Sequence, residues 1–202
     1  MKLARALGSV GGLTLASRVL ALGRDTLQAL YVGAGFASDA FLVAFRLPNM
    51  FRALFAEGAF AAAFIPLFNE KASEADENRA AFAFAENALA VLFPVLLVLT
   101  LILIAAAWPL TWALSGGFQS GGYDPPTPDQ FAFAVSLSRI TIPYLMLISL
   151  TALMGGILNS LDKYWVNAAA PMLLNLSMIG GMWFFHGDPA QTARVQAWSV
   201  TI

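Results

Sequence analysis

The chain has 202 residues, of which 59% are hydrophobic and only 11% are charged, and its formal net charge is −1. Soluble domains carry about 25% charged residues, so this composition excludes an ordinary soluble domain and predicts a polytopic membrane protein. The net charge by itself says nothing about nucleic acid, but the sequence contains no basic arm or patch that would bind it. The absence of cysteine excludes disulfides and thiolate chemistry.

The apolar segments predict an all-α bundle of transmembrane helices, with five full spans and the start of a sixth. A helix needs about 20 apolar residues to cross a bilayer. The predicted spans cover approximately residues 6–32, 39–68, 88–114, 131–161, 165–185 and, incompletely, 190–202. Because the last segment is too short to cross a bilayer by itself, we expect the chain to be a piece of a longer protein.

Basic residues are divided unevenly between the two sets of predicted loops. The set formed by residues 33–38, 115–130 and 186–190 contains none. The other set contains Lys2, Arg5, Lys71, Arg79 and Lys163. Because cytoplasmic loops are enriched in Lys and Arg, this asymmetry predicts a cytoplasmic N-terminus.

Ionised side chains at membrane depth distinguish the first two predicted spans from the others. These spans contain Arg18, Arg24, Asp25, Asp39, Arg46, Arg52 and Glu57. An arginine or aspartate at the bilayer centre costs about 2.5–3.5 kcal/mol on insertion scales. We therefore expect these groups to face a polar, water-accessible cavity rather than lipid.

The polar side chains of these two spans form one stripe on each helix. In the first span, six of them fall within an arc of about 120° at 100° per residue: Thr14, Ser17, Arg18, Arg24, Asp25 and Gln28. The second stripe comprises Asp39, Arg46, Asn49, Arg52 and Glu57, and Pro48 distorts it. A short turn at residues 33–35 joins the helices, which predicts that both stripes line one cavity.

Two interpretations of the arginines follow from the wheel. The first is internal ion pairing of Arg18 with Asp25, and of Arg46 with Asp39 or Glu57. The second is an anion site, because the other two arginines have no acid on the same helical line. Guanidinium groups bind phosphate oxygens in bidentate geometry, and all four cations are arginine rather than lysine. The pattern therefore favours phosphate recognition by Arg24 and Arg52.

Catalytic motifs are absent from the sequence. There is no Ser/His/Asp set, no H-E-x-x-H motif and no P-loop. The single histidine, His186, has no metal-binding companions in the sequence, and its position near the end of a span is typical of an interfacial residue. We therefore predict a protein that is not an enzyme and that needs no metal or other cofactor.

Several segments resemble the MurJ/MviN family. The N-terminal signature is carried by SRVLALGRD (17–25), GAG (33–35), DAFLVAFRLPNMFR (39–52) and LFAEGAFAAAFIP (54–66). ITIPYLMLISLTALMGGILNS (140–160) and AAPMLLNLSMI (169–179) fit the same family. The resemblance covers essentially the whole chain, and its first 66 residues are the most specific part.

This resemblance implies a fold and a function. Members are lipid II flippases of the bacterial cytoplasmic membrane, within the multidrug/oligosaccharidyl-lipid/polysaccharide exporter superfamily. Their fold has fourteen transmembrane helices, with two six-helix lobes around a central cavity and two further helices that form a groove for the lipid tail. This chain would form most of the N-terminal lobe, and its partners would be lipid II, membrane lipids and the C-terminal lobe that is absent here.

The resemblance also implies roles for individual residues. Arg18, Arg24 and Arg52 match the cavity arginines that engage the diphosphate of lipid II. Asp25 and Asp39 match acidic positions that are important in the family, and Glu57 matches a position near the periplasmic-side gate. With Arg46 and Asn49 these acids are expected to act as charge partners and gating residues of the cavity.

Two other functions remain open at this point. A related exporter could carry another polyprenyl-linked saccharide or a drug, although an exporter of cationic drugs would be expected to present acids in its cavity. A membrane scaffold that transports nothing would tolerate the loss of Arg24 and Arg52.

Overall fold

The computed structural model describes residues 2–56, 64, 66–68, 70, 77–115, 127–161 and 163–202. Side chains are described at residues 8, 11–50, 64, 66–68, 70, 82–115, 127–161 and 163–202.

Within these residues the chain is helical and contains no strand, which confirms the predicted all-α fold. The helices are α1 (Lys2–Tyr31), α2 (Phe36–Ala56), α3 (Glu77–Ala105), α4 (Ala107–Leu114), α5 (Pro128–Thr141), α6 (Pro143–Ser160), α7 (Tyr164–Phe185) and α8 (Pro189–Thr201).

Two of the predicted spans are each divided into two helices, and a proline accompanies each division. The third span is divided at Ala106 (φ −85°, ψ 9°), three residues before Pro109, which has no N–H to donate to the carbonyl of Ala105. The fourth is divided at Ile142, directly before Pro143. Ile142 keeps helical dihedrals (φ −56°, ψ −41°), so α5 and α6 together form one apolar stretch of 33 residues.

Among the described residues, three helical stretches are long and apolar enough to cross a membrane, judged by length and composition: Phe82–Ala105, Pro128–Ser160 and Tyr164–Phe185. α2 is not among them and carries Asp39, Arg46 and Arg52 within its 21 residues. The all-helical, membrane-type fold is therefore established, whereas the arrangement of five spans and the start of a sixth stays a prediction.

The main core lies where α2, α5, α6, α7 and α8 meet. Five of its eleven buried members are alanines, which let the helices approach closely. Its buried members are Val32, Ala40, Phe41, Ala44, Ala134, Leu137, Tyr144, Met178, Ala193, Ala197 and Val200. Hydroxyl groups connect these helices: Thr141 Oγ1 donates to the carbonyl of Ala44 at 2.8 Å, and Thr201 Oγ1 donates to that of Ile140 at 2.7 Å.

α1 packs along α7, and the two helices run parallel. Asn175 of α7 contacts the middle of α1, and the ring of Tyr31, the last residue of α1, stacks on His186 just after α7, with the ring centroids 4.2 Å apart. The opposite faces of these helices expose large apolar side chains such as Leu22 and Phe184. In a membrane protein such a surface is expected to contact lipid.

Candidate substrate-binding site

The side chain of Arg24 is held by two residues at the edge of the α1–α7 interface. Its Nε and Nη2 groups donate to Oδ1 of Asp25 at 3.0 and 2.8 Å, and its Nη1 donates to Oδ1 of Asn175 at 2.9 Å. The side chain of Arg24 is 22% exposed and that of Asp25 is 60% exposed. The ion pair therefore lies at the surface of the described part of the chain, with one side of the guanidinium against α7.

Asn175 joins this site to the backbone of α1. Its Nδ2 donates to the carbonyl oxygen of Ser17 at 3.2 Å, while its Oδ1 accepts from Arg24. Gly23 also lies at this interface, where a Cβ atom would be in ordinary van der Waals contact with Cδ1 of Ile179, at 4.0 Å. Asn175 thus anchors both the guanidinium and the helix that carries it.

Two of the ion pairs predicted from the helical wheel are wrong, and the third, Arg46 with Glu57, involves a residue outside the described part of the chain. Asp25 pairs with its neighbour Arg24 and not with Arg18, and no salt bridge joins Asp39 to Arg46. Both predicted pairs are seven residues apart, and at 1.5 Å per residue their Cα atoms are separated by about 10 Å along the helix axis. A helical wheel shows the direction of each side chain around the helix axis but not the separation of two residues along that axis.

The expectation that Arg24 has no acid partner is therefore also wrong. On the wheel Arg24 and Asp25 point about 100° apart, yet the long arginine side chain reaches round the helix to the adjacent carboxylate. In contrast, Arg18 and Arg46 are exposed, and among the described residues no acid lies within salt-bridge distance of either of them. Asn49 is exposed as well.

A groove of about 590 Å³ lies between the last turns of α1 and the first turn of α2. Its polar lining consists of Asp25, Gln28, Ser38 and Asp39, and the turn at residues 33–35 closes one end. Gly33 has φ +72°, a conformation that glycine adopts without steric cost. The turn thus brings one acid from each polar stripe to the same groove. Asp39 lies in the first turn of α2, where the helix dipole favours a negative charge.

For two of the predicted site residues the structure does not describe the side chain. Arg52 belongs to α2, but its side chain lies outside the described set. Glu57 lies outside the described residues altogether. Their roles at the diphosphate and at the gate stay predictions.

Asn175 is a site residue that the sequence patterns did not predict. The signal that could have found it was a lone amide in the middle of a long apolar span, because such a group finds a hydrogen-bond partner on a neighbouring helix. Two charged or titratable residues outside the site contact aromatic rings: Arg194 lies over Phe133 at 5.3 Å, and His186 stacks on Tyr31. His186 is exposed, and the described residues contain no cluster of potential metal ligands.

The amino-acid sequence is similar to those of known lipid II flippases. The sequence model of the lipid II flippase MurJ family matches residues 28–202. A probable lipid II flippase MurJ of Rhizobium tropici is 42% identical over 206 residues, covering 100% of this chain and 37% of the relative. The lipid II flippase MurJ of Burkholderia cenocepacia is 39% identical over 202 residues, covering 100% of this chain and 38% of the relative. The chain thus spans a little over one third of the length of these curated relatives.

The fold is similar to that of a solved structure. A lipid II flippase MurJ in an inward closed conformation superimposes with a TM-score of 0.72 at 26% sequence identity. The match covers 95% of this chain and 39% of the solved one.

Proposed function

The chain belongs to the lipid II flippase MurJ family, and from this membership we propose that it forms the N-terminal lobe of a lipid II flippase. The whole protein moves the undecaprenyl-diphosphate-linked precursor of peptidoglycan from the inner to the outer leaflet of the bacterial cytoplasmic membrane by alternating access. It acts as a transporter for cell wall synthesis and not as an enzyme, and its partners are lipid II, membrane lipids and the C-terminal lobe.

The arrangement of donors on Arg24 is the observation that carries this proposal. A guanidinium has five N–H groups, and three of them bind Asp25 and Asn175. Within the described part of the chain this leaves one N–H on each terminal nitrogen. These two remaining donors can bind phosphate oxygens, so Arg24 supports binding of the diphosphate while the lipid tail stays in the membrane.

Arg18 and Arg52 supply further donors in this proposal. Arg18 is exposed and lies on the same helix as Arg24, about 9 Å away along the axis. Asp25, Asp39, Arg46, Asn49 and Glu57 act as charge partners and gating residues of the cavity.

The proposed orientation places the N-terminus in the cytoplasm. It is supported by the uneven division of basic residues between the two sets of loops. The chain has no native cysteine, so an impermeant thiol reagent applied to intact cells should label Ala37→Cys and spare Ser73→Cys. Ser73 lies outside the described residues. Strong labelling of Ser73→Cys would show that the N-terminus lies outside the cytoplasm, which is the reverse of the proposed orientation.

The proposed role of the arginines is tested by growth complementation in cells depleted of their flippase. In the full-length protein, Arg24→Ala and Arg52→Ala should abolish growth at normal membrane levels. Arg24→Lys and Arg52→Lys should impair it, because lysine keeps the charge but loses the planar fork. Normal growth with both alanine variants would support a scaffold, and loss of the protein itself from the membrane would assign the arginines a structural role.

A further inference from the structure

We infer that Asn175 of α7 is a positioning residue for Arg24, which fixes the direction in which the guanidinium presents its two remaining N–H groups to the diphosphate. This inference rests on the proposed function, since it assigns Arg24 to the substrate. It adds a residue from a distant part of the chain to the binding site.

The orientation of the Asn175 amide follows from its two neighbours. A guanidinium only donates hydrogen bonds, and a backbone carbonyl only accepts them. Oδ1 must therefore face Nη1 of Arg24, at 2.9 Å, and Nδ2 must face the carbonyl of Ser17, at 3.2 Å. Asn175 is only 4% exposed, so bulk water has little access to replace either bond.

Asp25 alone does not fix the plane of the guanidinium. Both of its hydrogen bonds with Arg24 end on the same oxygen, Oδ1, and two bonds to one atom leave the group able to pivot about that atom. The bond from Nη1 to Asn175 reaches a second, separate acceptor. With acceptors on two helices, the guanidinium keeps one orientation, and a preorganised group loses less conformational entropy when it binds a ligand.

A neutral amide suits this role better than a carboxylate. Arg24 already faces one negative charge, that of Asp25. A second carboxylate would offset more of the positive charge and repel a diphosphate. Asn175 instead orients the cation and leaves its charge unchanged.

The test is a double-mutant cycle on the purified full-length protein, with the dissociation constant for lipid II as the readout. The variants are Asn175→Leu, Arg24→Ala and both together. The control is Ser177→Ala, which removes a neighbouring interhelical bond from Ser177 Oγ to the carbonyl of Ser199, 2.7 Å long. Asn175→Leu should weaken binding about tenfold, which is the order expected for one hydrogen bond to a charged group. It should cause no further loss in the Arg24→Ala background, and Ser177→Ala should bind within about twofold of the wild type.

The possible outcomes separate the inference from the proposed function. If Asn175→Leu weakens binding equally in both backgrounds, Asn175 acts through packing and the inference is overturned. If Arg24→Ala weakens binding and Asn175→Leu does not, the inference fails while the proposed function stands. If Arg24→Ala binds normally, the proposed role of Arg24 itself fails.

A second variant keeps the inference testable if Asn175→Leu does not fold. Asn175→Asp retains an acceptor for Arg24 but adds a negative charge beside the proposed diphosphate. It should weaken lipid II binding about tenfold or more by this added repulsion. Binding as tight as that of the wild type would show that no diphosphate lies beside residue 175, and this result would overturn the inference.

Discussion

The α1–α7 interface and the core around α2, α5, α6 and α8 contain different kinds of polar groups. In the core many of the polar groups are hydroxyls bonded to backbone carbonyls, as in the contact of Thr141 with Ala44 or that of Ser149 with Leu145, and the buried amide of Gln196 donates to the sulfur of Met182. At the α1–α7 interface they are the ionised Arg24 and Asp25, held at a partly exposed edge. Among the described residues the buried polar groups are thus all neutral, whereas the charges of Arg24 and Asp25 lie at a partly exposed edge.

The largest effect on stability is expected at the contact of α7 with α8. A Cβ atom at Gly181 would overlap Oγ of Ser199 and lie 3.2 Å from Cγ1 of Val195, so Gly181→Val should destabilise the full-length protein by about 1–3 kcal/mol. At Gly180 an added Cβ meets nothing within 4 Å in the described structure, and Gly180→Val is the matched control. Thermal unfolding in detergent compares the two variants, and equal stability would contradict the described packing of α7.

A smaller effect is expected from a hydroxyl in the core. Thr141 is fully buried and its hydroxyl donates to α2, so Thr141→Val should cost about 0.5–1.5 kcal/mol. The control is Thr151→Val, because Thr151 is exposed and its hydroxyl donates within its own helix, to Leu147. Both variants should support growth. A loss of transport in Thr141→Val at normal protein level would show that the core also carries function.

The smallest effect on stability is expected at Asp39. A buried ion pair with Arg46 would make Asp39→Asn cost about 3–5 kcal/mol, but the structure contains no such pair. The remaining contribution is that of a carboxylate in the first turn of α2, about 0.3–1 kcal/mol. Membrane levels should stay close to those of the wild type, while growth complementation should fail if the groove carboxylates serve transport. A collapse of the protein level would restore the ion-pair interpretation.

The all-helical fold was predictable from the sequence, because helix formation depends on local patterns of apolar residues. The apolar lengths predict α1 and α7, and the glycines at residues 33–35 predict the turn between α1 and α2, whereas the divisions at Ala106 and Ile142 are not predicted. The pairing of charges was not predictable in this way. It depends on axial distance and side-chain reach, which a wheel omits, as Arg18 and Arg24 illustrate. The contact of Arg24 with Asn175 joins residues 151 positions apart, and no local pattern contains that information.

The central claim is that Arg24, held by Asp25 and Asn175, presents two N–H groups to the diphosphate of lipid II. An electron cryomicroscopy structure of the full-length protein with lipid II bound tests it most directly. The account predicts that Nη1 and Nη2 of Arg24 lie about 2.7–2.9 Å from phosphate oxygens while the bonds to Asp25 and Asn175 persist. A diphosphate bound elsewhere, with Arg24 still contacting only those two residues, would contradict it.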